Sequence, residues 1–161
     1  MPDDVVVIGV GNRLRGDDAA GLEIARRLRE RTEGVAVREL EGEGIGLLEL
    51  WGRARAVILV DTIRSGSSVG AIQRLDASTG PLPTNLRGSS STHAVGVAEA
   101  IELARALGRL PARVVVYGIE GRRFDAGAPI SPEVQASLDA VSEAVLREVH
   151  AAMGSRGADP A

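Results

Sequence analysis

Two acids and a histidine carry the chemistry this sequence can offer. Asp18 closes the segment GVGNRLRGDD (residues 9–18), Asp61 closes ILVD (58–61), and His93 lies within SSSTHAVG (89–96). Each cluster is read at the end of an apolar strand, where an α/β sheet keeps its working groups. Two carboxylates and one imidazole suit a divalent metal of borderline softness, zinc or nickel, with coordination positions left open. A closed structural site wants four protein ligands, so a metal here is held weakly or shared with another molecule. The chain has two histidines, and His150 falls on a late amphipathic stretch, which leaves His93.

Each residue has a second, purely structural reading. Asp17 and Asp18 both suit a helix N-cap, where one carboxylate suffices; Asp17 is assigned the cap and Asp18 is left to point elsewhere. Asp61 ends an apolar run, where a buried acid is costly unless it is paired or meets a cation. On the residues alone, a turn-capping role for Asp61 stays open. A helix N-terminus disfavours imidazolium, so His93 is expected neutral and able to offer a lone pair; a satisfied surface histidine is its other reading. The run Gly9-Val10-Gly11-Asn12 also invites comparison with a dinucleotide fingerprint. That motif needs a third glycine or alanine opening the helix directly, whereas six residues with two arginines and two aspartates intervene here.

Composition narrows the field. The 161 residues are 44% hydrophobic with a formal charge of −3, which fits one domain and argues against nucleic acid as a partner. No run is apolar enough to span a bilayer and the start does not resemble a signal peptide, so a cytoplasmic protein is expected. Cysteine is absent, which removes disulfides, thiolate ligands and thiol nucleophiles. Lysine is absent too, which removes Schiff-base chemistry and a P-loop lysine. There is no G-x-S-x-G elbow for a serine nucleophile.

The elements that must position these groups alternate between strand and helix. Continuous apolar runs at Val5–Val10, Ala56–Val60 and Arg113–Gly118 read as buried parallel strands, and the alternation of Val35–Leu40 as another. A further strand is expected within VGAIQRL (69–75). Helices are expected after Asp17 and Asp18 (face Leu22, Ala25, Leu28), through Leu47, Leu50 and Trp51, from Thr92 onward, and from Ser131-Pro132, with Ser131 as cap and Pro132 at the first helical position. The last has a stripe of Val134, Leu138, Val141, Val145 and Val149. The pattern predicts a three-layer α/β sandwich, a twisted and mostly parallel sheet with helices on both faces. One domain is expected over residues 1–153, with a disordered tail over 154–161.

The strings GVGNRLRGDDAAG, VDTIRSG, SSSTHAVGVAEAIELARALG, VYGIEG and DAGAPISPEV resemble, in order, the hydrogenase maturation proteases. The resemblance runs from about Val5 to Met153. It implies a nickel-dependent endopeptidase that removes a C-terminal extension from the precursor of a [NiFe] hydrogenase large subunit after nickel insertion. It implies Asp18, Asp61 and His93 as the metal-contacting and catalytic set, with the nickel supplied by the precursor; zinc or cadmium would occupy the same donors in vitro. Asn12, Gly42 and Gly44 are candidate substrate contacts. Many family members carry Glu where Asp18 stands, and some read Gly-Thr where this chain has Glu43-Gly44. Two other classes stay open: a metal-handling chaperone that binds the precursor without cutting it, and a small-molecule metallohydrolase with its own metal.

Overall fold

The computed structural model describes residues 4–83 and 96–158. The strands are β1 (Val5–Gly11), β2 (Ala36–Glu41), β3 (Ala56–Ile63), β4 (Ile72–Asp76) and β5 (Arg113–Glu120). The helices are α1 (Ala20–Arg29), α2 (Leu47–Trp51), α3 (Val97–Ala106) and α4 (Pro132–Ala158). Single 3-10 turns over Gly16–Ala19 and Gly44–Gly46 lead into α1 and α2.

Strands β1 and β3 are buried at every position because both faces of the sheet are covered. Successive side chains alternate between two cores. Val5, Val7, Ile58, Val60, Val115 and Ile119 meet α1 and α4 on one face. Val6, Ile8, Val57, Leu59, Val114 and Val116 meet α2 and α3 on the other. The expected stripe of the last helix is buried throughout, as are Leu22, Ala25 and Leu28 of α1. This is the three-layer α/β arrangement that the strand–helix alternation predicts.

The sheet order is β2-β1-β3-β5-β4, with only β4 antiparallel. The chain starts in the middle, steps outward through α1 to β2, then returns through α2 to the opposite side of β1. That reversal opens a crevice beyond the carboxyl ends of β1 and β3, where α/β sheets bind ligands. Glycine lets α1 lie flat against these two strands. A Cβ on Gly9 would stand 2.1 Å from the Gly21 carbonyl oxygen, and one on Gly21 would stand 2.4 Å from that of Val10 and 2.5 Å from that of Val60.

Two expectations change. The last helix does not stop before a tail at residue 154 but runs on to Ala158. Once a long helix is nucleated each further residue adds a hydrogen bond, and Gly154 and Gly157 each cost only about 1 kcal/mol. The helix expected from Thr92 is described from Val97, with Gly96 and Glu99 forming its first turn through a Glu99 side-chain bond to the Gly96 amide. Among the described residues, no helix is long and apolar enough to cross a membrane.

The far edge of the sheet is fastened to α4 by one buried acid. Glu148 accepts hydrogen bonds from Arg74 Nε (2.7 Å), Arg113 Nη2 (2.5 Å) and the Tyr117 hydroxyl (2.7 Å). The Arg74 guanidinium, with Tyr117 and Arg113, overcomes the cost of burial and holds the carboxyl down to about 2. A depressed carboxylate contributes stability that is complete above its unfolded value of 4.5 and is lost as pH falls toward 2. Glu148→Gln is therefore expected to lower stability by about 2–3 kcal/mol at pH 7 and by less at pH 3. Urea unfolding at the two pH values checks this, and an equal loss at both would refute it.

Candidate active site

The loop after β1 folds back on the strand it leaves. Asn12 N–H donates to the Asp18 carbonyl (3.1 Å), Arg15 N–H to the Asn12 carbonyl (3.2 Å), and Asp18 N–H to the Arg15 carbonyl (3.1 Å). Residues 12–18 thus close into a loop whose last residue returns to the end of β1. Gly11 permits this return, since a Cβ there would lie 1.9 Å from the Asp18 carbonyl oxygen. The same Cβ position is 3.7 Å from Asp18 Oδ1, which places the carboxylate beside the strand end.

Asp17 is not the helix cap that the sequence suggests. No side chain caps α1, whose N-cap position is Ala19. The buried Asp17 carboxylate instead gathers donors more than a hundred residues away: the amides of Arg122 (2.8 Å), Arg123 (3.0 Å) and Ser131 (2.6 Å), and the Ser131 hydroxyl (3.0 Å). Burial alone would raise this group, but the four donors outweigh it and hold the carboxyl below its ordinary range. Ser131, expected to cap α4, spends its hydroxyl on Asp17. The Asp17 carbonyl also accepts from the Thr62 hydroxyl (2.9 Å), which ties the β1 loop to the end of β3.

Asp18 and Asp61 come together at the carboxyl ends of β1 and β3, 2% and 3% exposed. Among the described residues, Asp61 accepts one hydrogen bond, from the Thr62 amide (2.8 Å). Burial, followed by the negative charge of Asp18, pushes the Asp61 carboxyl well above its ordinary range. Two carboxylates close enough to oppose each other's ionisation in a dry site form a proton-binding or cation-binding pair. The donor set fits a hard or borderline cation bound partly by other ligands. His93, the third member of the expected set, lies outside the described residues, and among the described residues no group of three acids or histidines could hold a metal.

The candidate substrate contacts line the same edge. Asn12 is half-buried and its Oδ1 accepts from the Leu14 amide (2.9 Å), so that oxygen supports the loop. Gly42 follows β2, beside the end of β1, with open space where a side chain would stand, and Gly44 is buried in the next turn. Sequence reasoning missed two carboxylates at this edge. Glu41 grips Arg13 through its amide (3.1 Å) and Nε (2.9 Å). β3 runs on past Asp61 to Ile63, which pairs with Glu120 at the end of β5; Glu120 accepts from the Ser65 amide (3.0 Å), the Ser65 hydroxyl (2.6 Å) and the Gly66 amide (3.4 Å). For Glu120 the signal was an acid closing an apolar strand; its supply of local donors makes it a loop anchor.

A carboxyl whose folded value is raised favours the fold at low pH and opposes it as pH rises through that value. Asp61→Asn keeps an oxygen for the Thr62 amide and removes the buried charge. It is expected to stabilise the metal-free protein at pH 7.5, with little difference at pH 4. Urea midpoints at both pH values check the sign, and a destabilised variant at pH 7.5 would refute the argument.

A profile of the hydrogenase maturation protease family matches residues 22–148. The chain is 30% identical over 155 residues to the hydrogenase expression/formation protein HupD of Rhodobacter capsulatus, covering 93% of this chain and 73% of that relative. It is 26% identical over 147 residues to the hydrogenase 2 maturation protease of Escherichia coli, covering 88% of each. A solved endopeptidase from Escherichia coli superposes with a TM-score of 0.76 at 26% identity, over 95% of this chain and 93% of that one. With the family match spanning most of the chain and the same sheet recurring in a solved endopeptidase, this protein belongs to the hydrogenase maturation protease family and is an endopeptidase of hydrogenase maturation.

Proposed function

We propose that the protein removes the C-terminal extension of a [NiFe] hydrogenase large-subunit precursor, and that the nickel already held by the precursor is the mark it recognises. The observation that carries this reading is the pairing of Asp18 with Asp61. The two carboxylates are buried together at the switch point, and burial and mutual repulsion keep Asp61 protonated beyond its ordinary range. A cation offered from outside relieves the repulsion and displaces the proton. His93 adds the nitrogen donor in this proposal, so Asp18, Asp61 and His93 complete a coordination shell that the precursor begins.

Nickel, as part of the substrate, supplies Lewis acidity for a peptide carbonyl or a water. The chain's own residues do the rest. Asp61 presents its carboxyl group beside Asp18 in a site shielded from bulk water. There it orients a water or accepts its proton as general base. Asn12, Gly42 and Gly44 serve as substrate contacts in this proposal, and the open space where a Gly42 side chain would stand leaves room for a peptide backbone. An adjacent pair of acids without cysteine, lysine or a serine elbow leaves hydrolysis by an activated water as the chemistry.

The test is a mass-spectrometric cleavage assay on a large-subunit precursor prepared with and without nickel. Loss of a C-terminal peptide from the loaded form alone is expected; equal cleavage of both forms would remove the recognition role of the metal. Asp18→Asn, Asp61→Asn and His93→Ala are each expected to lower cleavage by about 100-fold or more. Because Asp61→Asn is expected to be more stable than the parent, its loss of activity separates chemistry from unfolding. Processing at the parental rate by any of the three would remove that residue from the set.

A further inference from the structure

We infer that Leu14, flanked by Arg15 and Arg123, is the docking anchor through which the protein selects its precursor, and that it takes an apolar side chain set among carboxylates. The inference rests on the endopeptidase reading above and adds the surface that the substrate must meet. Leu14 is 69% exposed, more than any other large hydrophobic among the described residues. An exposed leucine on a loose loop means little, but this one is rigidly held. Its amide donates to Asn12 Oδ1 (2.9 Å) and its carbonyl accepts from the Gly127 amide (2.7 Å). A backbone fixed on both sides with its side chain in water loses little freedom on binding, which is what an anchor needs.

The anchor is set on the crevice it would serve. Leu14 lies between Asn12 and Asp18 on the loop that delivers Asp18 to the end of β1, so a segment seated on it is held beside the aspartate pair. The facing segment, residues 121–131, is joined to this loop by the Asp17 carboxylate and by the Asp17 amide, which donates to the Arg123 carbonyl (2.6 Å). The docking loop and its neighbour therefore form one fixed rim.

Charge identifies the partner's chemistry. Most arginines near the rim are already committed: Arg13 to Glu39 and Glu41, Arg122 to Glu133. Arg15 and Arg123 are half-buried and make no ion pair with a described residue. Arg15 follows Leu14 on its own loop, and Arg123 lies on the facing segment whose Gly127 amide holds the Leu14 carbonyl. Half-buried guanidinium groups lacking acids of their own favour carboxylates on the arriving surface.

Steady-state processing of nickel-loaded precursor by the full-length protein tests this. Leu14→Glu is expected to raise KM about tenfold or more while kcat stays within about twofold, because docking is lost and the aspartate pair is untouched. Arg15→Glu combined with Arg123→Glu is expected to raise KM at low salt and to remove the salt dependence of the parent protein. Urea midpoints equal to the parent's confirm that both variants fold. Parental KM values in both variants, with the parent processing the precursor, would overturn the anchor alone. A parent protein that neither binds nor cleaves the precursor would overturn the functional reading and the docking surface with it.

Discussion

The Asp17 carboxylate is the constraint on which the active edge depends. Four donors converge on it from residues 122, 123 and 131, while its own carbonyl holds Thr62 at the end of β3. One buried charge therefore sets the positions of the β1 loop, the β3 terminus, the segment before α4 and the start of α4. A carboxylate is well suited to this because each charge-assisted bond is stronger than a neutral one. Replacing it would strand several buried amides together, a larger penalty than losing any single bond.

Asp61 is served very differently. Asp17 draws in the amides of the late loop, whereas Asp61 keeps one amide bond and faces the charge of Asp18. Of the two adjacent aspartates, Asp17 is held ionised by its donors, while the charge of Asp18 raises the proton affinity of Asp61 across the crevice. In the proposed function, a cation meeting the pair would offset the stability given up at Asp61. Glu148, at the far edge of the sheet, shows the alternative outcome: two arginines and a tyrosine satisfy it, and it holds the fold together without a reactive role.

Much of this was legible in the sequence. Continuous apolar runs marked β1, β3 and β5 as central strands, and the glycine and aspartate patterns at their ends located the crevice. The family resemblance and the bare donor chemistry converged on Asp18 and Asp61. Local reasoning failed where the partner is distant. Asp17 and Ser131 were assigned as caps because acids and serines at helix starts bond neighbouring amides, yet each finds the other across 114 residues of chain. Glu120 carried the same signal as Asp61, and only the fold revealed that the Ser65 turn saturates it. The extension of α4 to Ala158 was hidden by composition, since glycine and alanine near a terminus read as a tail until a long preceding helix supplies the nucleus.

The described arginines of the rim bear on why Asp61 keeps a raised proton affinity. Arginine supplies every positive side chain of this chain other than its histidines, and several arginines surround the crevice. Yet Arg13 is drawn to Glu39 and Glu41 on β2, Arg122 to Glu133 on α4, and Arg64 lies over the Phe124 ring, its carbon 3.8 Å from the centroid. Had one of these guanidinium groups reached Asp61, its folded value would have fallen instead of risen. These three guanidinium groups are instead engaged elsewhere, where their contacts order the loops without quenching Asp61. The raised proton affinity of Asp61 therefore reflects where these three arginines are directed, together with burial and the charge of Asp18.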